Sequence, residues 1–167
     1  VIGVPGVLSG IRTLGAEQRF NIAIRNGTVR NWQIGVDFGS FGGRGCRIES
    51  LSVSHNTSYG IVAARGSVIT GCTASFNGSD GIASGGGCAI SSCTVSSNLT
   101  EGISVNEGDL IHHCSAQGNA TAGIQVVKRA SVFENNCSGN GIGIHVINTE
   151  NRVENNHVSA NGYGIYA

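Results

Sequence analysis

The chain is poor in most of what gives a protein a chemical signature. Of its 167 residues, one is proline, one is tryptophan and none is methionine. Aromatics make up 5%, and charged residues make up 12% and balance to zero. Without a basic face the chain has no electrostatic means of holding nucleic acid or an anionic membrane surface, so neither is expected as a partner. No apolar run is long enough to span a bilayer, and the first residues do not read as a signal peptide. No stretch carries a helical stripe with caps, which argues against a helical fold. The cysteines form no CxxC and no Cys/His cluster, so no zinc site and no other cofactor is expected.

What the chain has in quantity is glycine, 27 residues, together with a repeat of 21 residues. Ile48, Ile69, Ile90, Ile111, Val132 and Val153 recur at that spacing. So do Val53, Ala74, Val95, Ala116, Cys137 and Val158, and so do Asn56, Asn77, Asn98, Asn119, Asn140 and Asn161. A Gly-Ile pair recurs from Gly60-Ile61 to Gly164-Ile165, slipping once where the loop after Asn140 is a residue short. A fixed period in this range means stacked units that cannot bury their apolar sides alone.

Within a unit, apolar residues alternate, as in Gly102-Ile103-Ser104-Val105, which is the strand period. Three such runs are separated by short Gly/Asn/Asp/Ser turns. The reading is an all-β solenoid, a parallel β-helix of about seven coils with three short strands each. Residues 1–167 form a single domain, with irregular N-terminal coils over 1–47 and regular coils over 48–167. Phe20 to Trp32 reads as an earlier coil, Gly39 to Gly45 as a longer loop, and Val1-Ile2-Gly3-Val4 as part of a further coil. The pattern Gly-Ile-x-Val, then Ile, then a corner Asn resembles the right-handed parallel β-helix repeats of the pectin-lyase-like superfamily. Hexapeptide repeats, which favour the left-handed form, are missing.

The Asn column is expected to turn inward, which makes the Asn-x-Ser/Thr matches at Asn56, Asn77, Asn98 and Asn119 ladder positions rather than glycosylation sites. Cys72, Cys93 and Cys114 share a column, Cys46 and Cys88 share another two coils apart, and Cys137 sits in an apolar ladder. They read as small core residues rather than a disulfide framework.

Outward positions differ between faces. Thr73, Ser75, Thr94, Ser96 and Ser115 belong to a polar lattice. Val68, Ala89, Leu110 and Phe133 make an apolar strip bracketed by Arg47/Glu49 and Arg152/Glu154, and Val62, Ala64, Val127 and Ile147 extend it.

The resemblance implies polysaccharide lyases, glycoside hydrolases and uronate epimerases, with sites on the outer face of one sheet between long loops. The lyase Arg with its calcium-binding acids, the hydrolase aspartate trio and the epimerase Asp-Pro-His-Glu all find no match; the sole proline is Pro5. The nearest paired carboxylates are Asp80 and Glu101 in adjacent coils, suited to a hydrolase pair or a weak calcium site but expected to be solvated turn residues. Glu107 and Lys128 are expected to form a surface ion pair, and His145 to lie near Gln125 and Tyr166. The loop around Arg44 is the one place for a site wall.

Three function classes follow. The leading expectation is a non-enzymatic, secreted or cell-surface module that self-associates through the apolar strip, as a trimer by analogy with β-helical spikes, or as a dimer. The second is a carbohydrate-binding or polysaccharide-processing domain. The third is a surface-lattice, ice-like binder through the Ser/Thr face.

Overall fold

The computed structural model describes residues 8–13, 20–40 and 42–167. The Val1–Val4 reading and Phe41 of the long loop lie outside the described residues. The repeat folds into parallel strands, each hydrogen-bonded to its equivalent in the next coil.

One ladder forms an eight-stranded sheet: β1 (Ser9–Arg12), β3 (Ile34–Asp37), β5 (Ile61–Ala63), β8 (Ile82–Ser84), β11 (Ile103–Glu107), β14 (Ala122–Lys128), β17 (Ile142–Val146) and β20 (Tyr163–Tyr166). A second runs from β4 (Arg47–Ser54) through β6 (Val68–Thr70), β9 (Ala89–Ser91), β12 (Leu110–His112), β15 (Ser131–Phe133) and β18 (Arg152–Glu154). A third leaves β4 through β7 (Thr73–Ser75), β10 (Thr94–Ser96), β13 (Ser115–Gln117), β16 (Asn136–Ser138) and β19 (His157–Ser159). The three walls expected from the sequence are therefore two sheets. In β4 the second and third strands of a coil run on without a break, and β2 (Ala23–Arg30) pairs with β4 along both halves.

The register is that of the sequence columns. Ile69 pairs with Ile90, Val95 with Ala116, and Ile103 with Ile124. Ile48, Ile69, Ile90, Ile111 and Val132 are wholly buried, as are Ile61, Ile82, Ile103, Ile124 and Ile144. Each buried Ile contributes about 1.5–3 kcal/mol. Where the loop after Asn140 is short, β17 keeps register with β14, Ile124 facing Ile144.

The regular coils turn three corners on one plan: a residue with left-handed backbone is followed by an inward residue, which in most coils is polar or a cysteine. At the first corner Asn56 Nδ2 donates to Asn77 Oδ1 (2.9 Å), Asn77 to Asn98 (2.9 Å), Asn98 to Asn119 (2.9 Å) and Asn119 to Asn140 (3.0 Å). These side chains are buried, so the glycosylation matches are ladder residues. The Gly-Ile pairs follow from this stack: a Cβ on Gly81 would lie 2.7 Å from Asn98 Nδ2.

At the second corner the cysteine column takes the same part. The thiols of Cys72 and Cys114 donate to the carbonyls of Ile48 (3.5 Å) and Ile90 (3.7 Å), as the amide of Asn135 does to Ile111 (3.1 Å). All six cysteines are buried and unbridged. The third corner carries Cys46, Ser67, Cys88, Asp109, Ala130 and Asn151 in one column. Its buried acid, Asp109, is not anticipated by the sequence reading.

Candidate active site

Beside the eight-stranded sheet, the column before the first three Gly-Ile pairs reads Tyr59, Asp80, Glu101. The backbone binds it in register, with Gly60 N donating to Asp80 O and Gly81 N to Glu101 O, both at 3.0 Å. Asp80 is only 7% exposed, which corrects its expected solvation. Its Oδ1 accepts hydrogen bonds from the Thr100 hydroxyl and, at 3.4 Å, from Glu101 N. Ser79 Oγ lies 3.4 Å from Thr100 Oγ1 and extends the hydroxyl chain. Burial, followed by contact with the Asp80 carboxyl, pushes the Glu101 carboxyl up to about 7. Loss of water and a second carboxyl one coil away both favour the protonated form of Glu101.

Asp80 opens into a cavity of ≈ 300 Å³. Tyr59, Val62, Ala83 and Ser104 line its floor, Ser84 and Asn106 one side, and Ile34 and Ser40 the other. Ser40 belongs to the longer loop, so that loop does build a wall, although with Ser40 rather than Arg44 at the cavity. Ser40 N donates to Asp37 Oδ1 at 3.0 Å, which fixes the loop's start. Arg44 instead forms single bridges to Phe20 and Arg65. Asn106 Nδ2 donates to Ser84 O at 2.7 Å and ties the opposite wall together.

The other candidates fall elsewhere. Val68, Ala89, Leu110 and Phe133 do share one face, but only Leu110 reaches 36% exposure, and the His112 ring stacks on Phe133 at 5.2 Å. Arg47–Glu49 (3.4 Å) and Arg152–Glu154 (2.8 Å) bracket the strip as expected. Val62 stands apart, in the cavity floor of the other sheet. Ala64 is buried, which removes it from the apolar surface. In the polar lattice, Thr73 and Thr94 are exposed while Ser75, Ser96 and Ser115 are half-buried.

Glu107 faces Lys128 in the strand register, but its ion pair is with Arg129 at 2.6 Å. Arg129 has left-handed backbone, φ 54°, and projects sideways from its corner, which the column reading does not foresee. His145 lies 3.2 Å from Gln125 Oε1 and stacks obliquely on Tyr166, as expected.

Sequence reasoning also missed two shallow surface features. His55 and Phe76, both at corners with left-handed backbone, stack at 5.2 Å beside Leu99 in a groove. His113 bridges His112 (2.7 Å) and Glu134 (2.8 Å) beside another. Among the described residues, no group of three or more His, Cys, Asp or Glu side chains is placed to hold a metal ion.

Residues 35–167 match the model of the family described as right handed beta helix region. No curated protein matches the sequence. Among solved structures, the periplasmic alginate epimerase AlgG, a point mutant, superposes at TM-score 0.66 and 19% identity, over 78% of this chain and 34% of its own. The A-module of the Azotobacter vinelandii mannuronan C-5 epimerase AlgE4 gives 0.64 and 14%, over 89% and 56%. Pectate lyase Pel9A gives 0.50 and 15%, over 88% and 50%. The chain thus spans between a third and just over half the length of these proteins.

Proposed function

The chain belongs to the right-handed beta-helix family, and from that membership we propose that it is a polysaccharide-processing domain working at the cavity beside Ser40. The observation that carries the reading is Asp80 in the lining of a walled cavity with Glu101 beside it, whose carboxyl is pushed up to about 7. Glu101 is the proton donor and Asp80 the carboxylate that keeps the proton on it. Hydroxyl and amide groups from Ser40, Ser104 and Asn106 supply contacts of the kind a sugar ring takes. An extended polymer lying along the solenoid axis meets equivalent positions every ~4.8 Å.

The neighbouring structures named for alginate, mannuronan and pectate chemistry favour an acidic polysaccharide, and the periplasmic one favours a location outside the cytoplasm. Self-association through the apolar strip is the weaker reading, because most of that strip is already half-buried and His112 covers Phe133.

The test is turnover of uronate-containing and neutral oligosaccharides by the wild type, Glu101→Gln and Asp80→Asn, read by mass spectrometry and proton NMR. Turnover of an acidic glycan is expected to fall as pH rises through about 7, because Glu101 acts while protonated. Loss of about 10²-fold or more is expected in Glu101→Gln with binding retained. Undiminished turnover in Glu101→Gln would remove the residue from the chemistry. Neither binding nor turnover of any glycan by the wild type would remove the function.

A further inference from the structure

Asp109 occupies a corner place that Asn151 takes two coils later and that Asn135 takes at the neighbouring corner. Its Oδ1 accepts from the backbone N of Cys88, 21 residues earlier, at 2.8 Å. Asn151 makes the same bond to Ala130 N in this column (2.9 Å), and Asn135 to Cys114 N in the next (2.9 Å). The other half of each asparagine is equally regular. The Nδ2 of Asn98, Asn119, Asn135, Asn140, Asn151, Asn156 and Asn161 donates to the carbonyl 24 residues earlier, at 2.9–3.3 Å. By that spacing the carbonyl equivalent for Asp109 is Gly85 O, and the carboxyl oxygen not used by Cys88 N is Oδ2. Oδ2 is buried with no hydrogen-bond partner, in a side chain of a residue 2% exposed.

A carboxylate oxygen set toward a carbonyl in a dry corner is repulsive, whereas a protonated one donates as the amide does. We propose that Asp109 is carried as a neutral carboxylic acid whose Oδ2 proton takes the part of the missing asparagine amide, and that this proton positions the Ser84–Asn106 wall of the cavity.

The surroundings support both halves. Burial pushes the Asp109 carboxyl up from its ordinary range. The titratable group packed against it from the preceding coil is the Cys88 thiol, and the following coil presents the methyl of Ala130. The charged groups of this corner, Glu107, Lys128, Arg129 and Glu150, lie on its outer side. There Arg129 is held by Glu107 and Glu150, each at 2.6 Å, and so offers no counter-charge inward. Ser84 Oγ donates to Asp109 Oδ1 at 2.9 Å and accepts from Gly86 N at 3.3 Å, and Asn106 Nδ2 holds Ser84 O. Asp109 thus braces from behind two residues that line the cavity. The folded chain binds this proton more tightly than the unfolded one. The stability it confers is complete below the ordinary carboxyl range and declines as pH rises through the folded value.

The experiment needs no glycan, so its failure is distinct from failure of the polysaccharide reading. A Glu101→Gln parent, which removes the other carboxyl that burial pushes up, is compared with the same chain carrying Asp109→Asn. Infrared difference spectra at about pH 7 are expected to show a protonated carboxyl band that Asp109→Asn abolishes. Melting temperatures between about pH 5 and 8 should fall with pH in the parent and stay flatter in Asp109→Asn, which ends higher by about 2–4 °C. Protection factors for amide exchange at Gly86 and Cys88, each rate referred to the intrinsic rate at that pH, should fall with pH in the parent and not in the variant. Absence of the band, or an Asp109→Asn chain less stable than its parent at the upper pH, overturns the proposal. A protection factor at Gly86 indifferent to pH in the parent, with the band present, overturns its extension to the cavity wall.

Discussion

Of the nine acids among the described residues, four sit on the surface beside an arginine: Glu49 with Arg47, Glu107 and Glu150 with Arg129, Glu154 with Arg152. Glu101 and Asp109 instead lose water without gaining a counter-charge, which pushes both carboxyls up from the ordinary range. The same physics sets the cost of a misplaced charge. Ile90 is wholly buried in the core column, while Ser96 points outward one strand away. Ile90→Asp is expected to abolish folding, since an unpaired buried carboxylate costs several kcal/mol, comparable to the whole stability of a domain. Ser96→Asp is expected to fold, and circular dichroism distinguishes the two. Equal tolerance would reverse the inward and outward assignment. Column positions of this kind were legible in the sequence because a strict period fixes which way each side chain points. The burial of Asp80 was not, because it depends on Ser40 and Thr100 closing around it from other coils.

At the scale of the strand and its corner, the three inward columns are variations on one hydrogen-bond scheme. Asparagine does both parts of it, accepting from the coil before and donating 24 residues back. Cysteine does the donating part, weakly, through its thiol, and asparagine follows it in the same column at Asn135 and Asn156. Cys114→Asn should therefore lengthen the asparagine run by a coil, accepting from Cys93 N and donating to Ile90 O. The gain is about 1 kcal/mol for the added bonds, or about 2–4 °C in melting temperature. A fall would show that the thiol's shape, not its hydrogen bonding, selects cysteine there. Reductant is expected to leave either chain's melting unchanged, because no cysteine is bridged. The sequence marks these columns but hides the residue before each one. His55, Phe76, His113, Glu134 and Arg129 adopt left-handed backbone that composition alone assigns to glycine or asparagine. Their sideways projection creates the His55–Phe76 stack and the Arg129 pairs, which is why Lys128 was the wrong partner for Glu107.

The whole molecule is a stack in which each strand hydrogen-bonds only to its equivalents in the flanking coils, so stability is a sum of neighbouring interfaces rather than a property of one centre. That makes a coil a removable part. Deleting residues 112–132, a full period of 21, joins Ile111 to Phe133 at equivalent points. It brings Ile103 opposite Ile144 and Asn98 opposite Asn140. The asparagine run would close over the gap, and Asp80, Glu101, Ser40 and Asn106 would be untouched. The shortened chain is expected to fold with strand content in proportion to its length and a modestly lower melting temperature. Deleting one residue more, through Phe133, shifts the next strand by one position and turns Asn135 and Cys137 outward while Asn136 and Ser138 turn in. The solenoid tolerates a missing residue in the loop after Asn140 because β17 recovers its register through a turn, not within a strand. Circular dichroism and thermal melts of the two deletions decide the matter. If both fold equally well, coil-to-coil register is not what specifies this structure. If neither folds, the coils are not independent units.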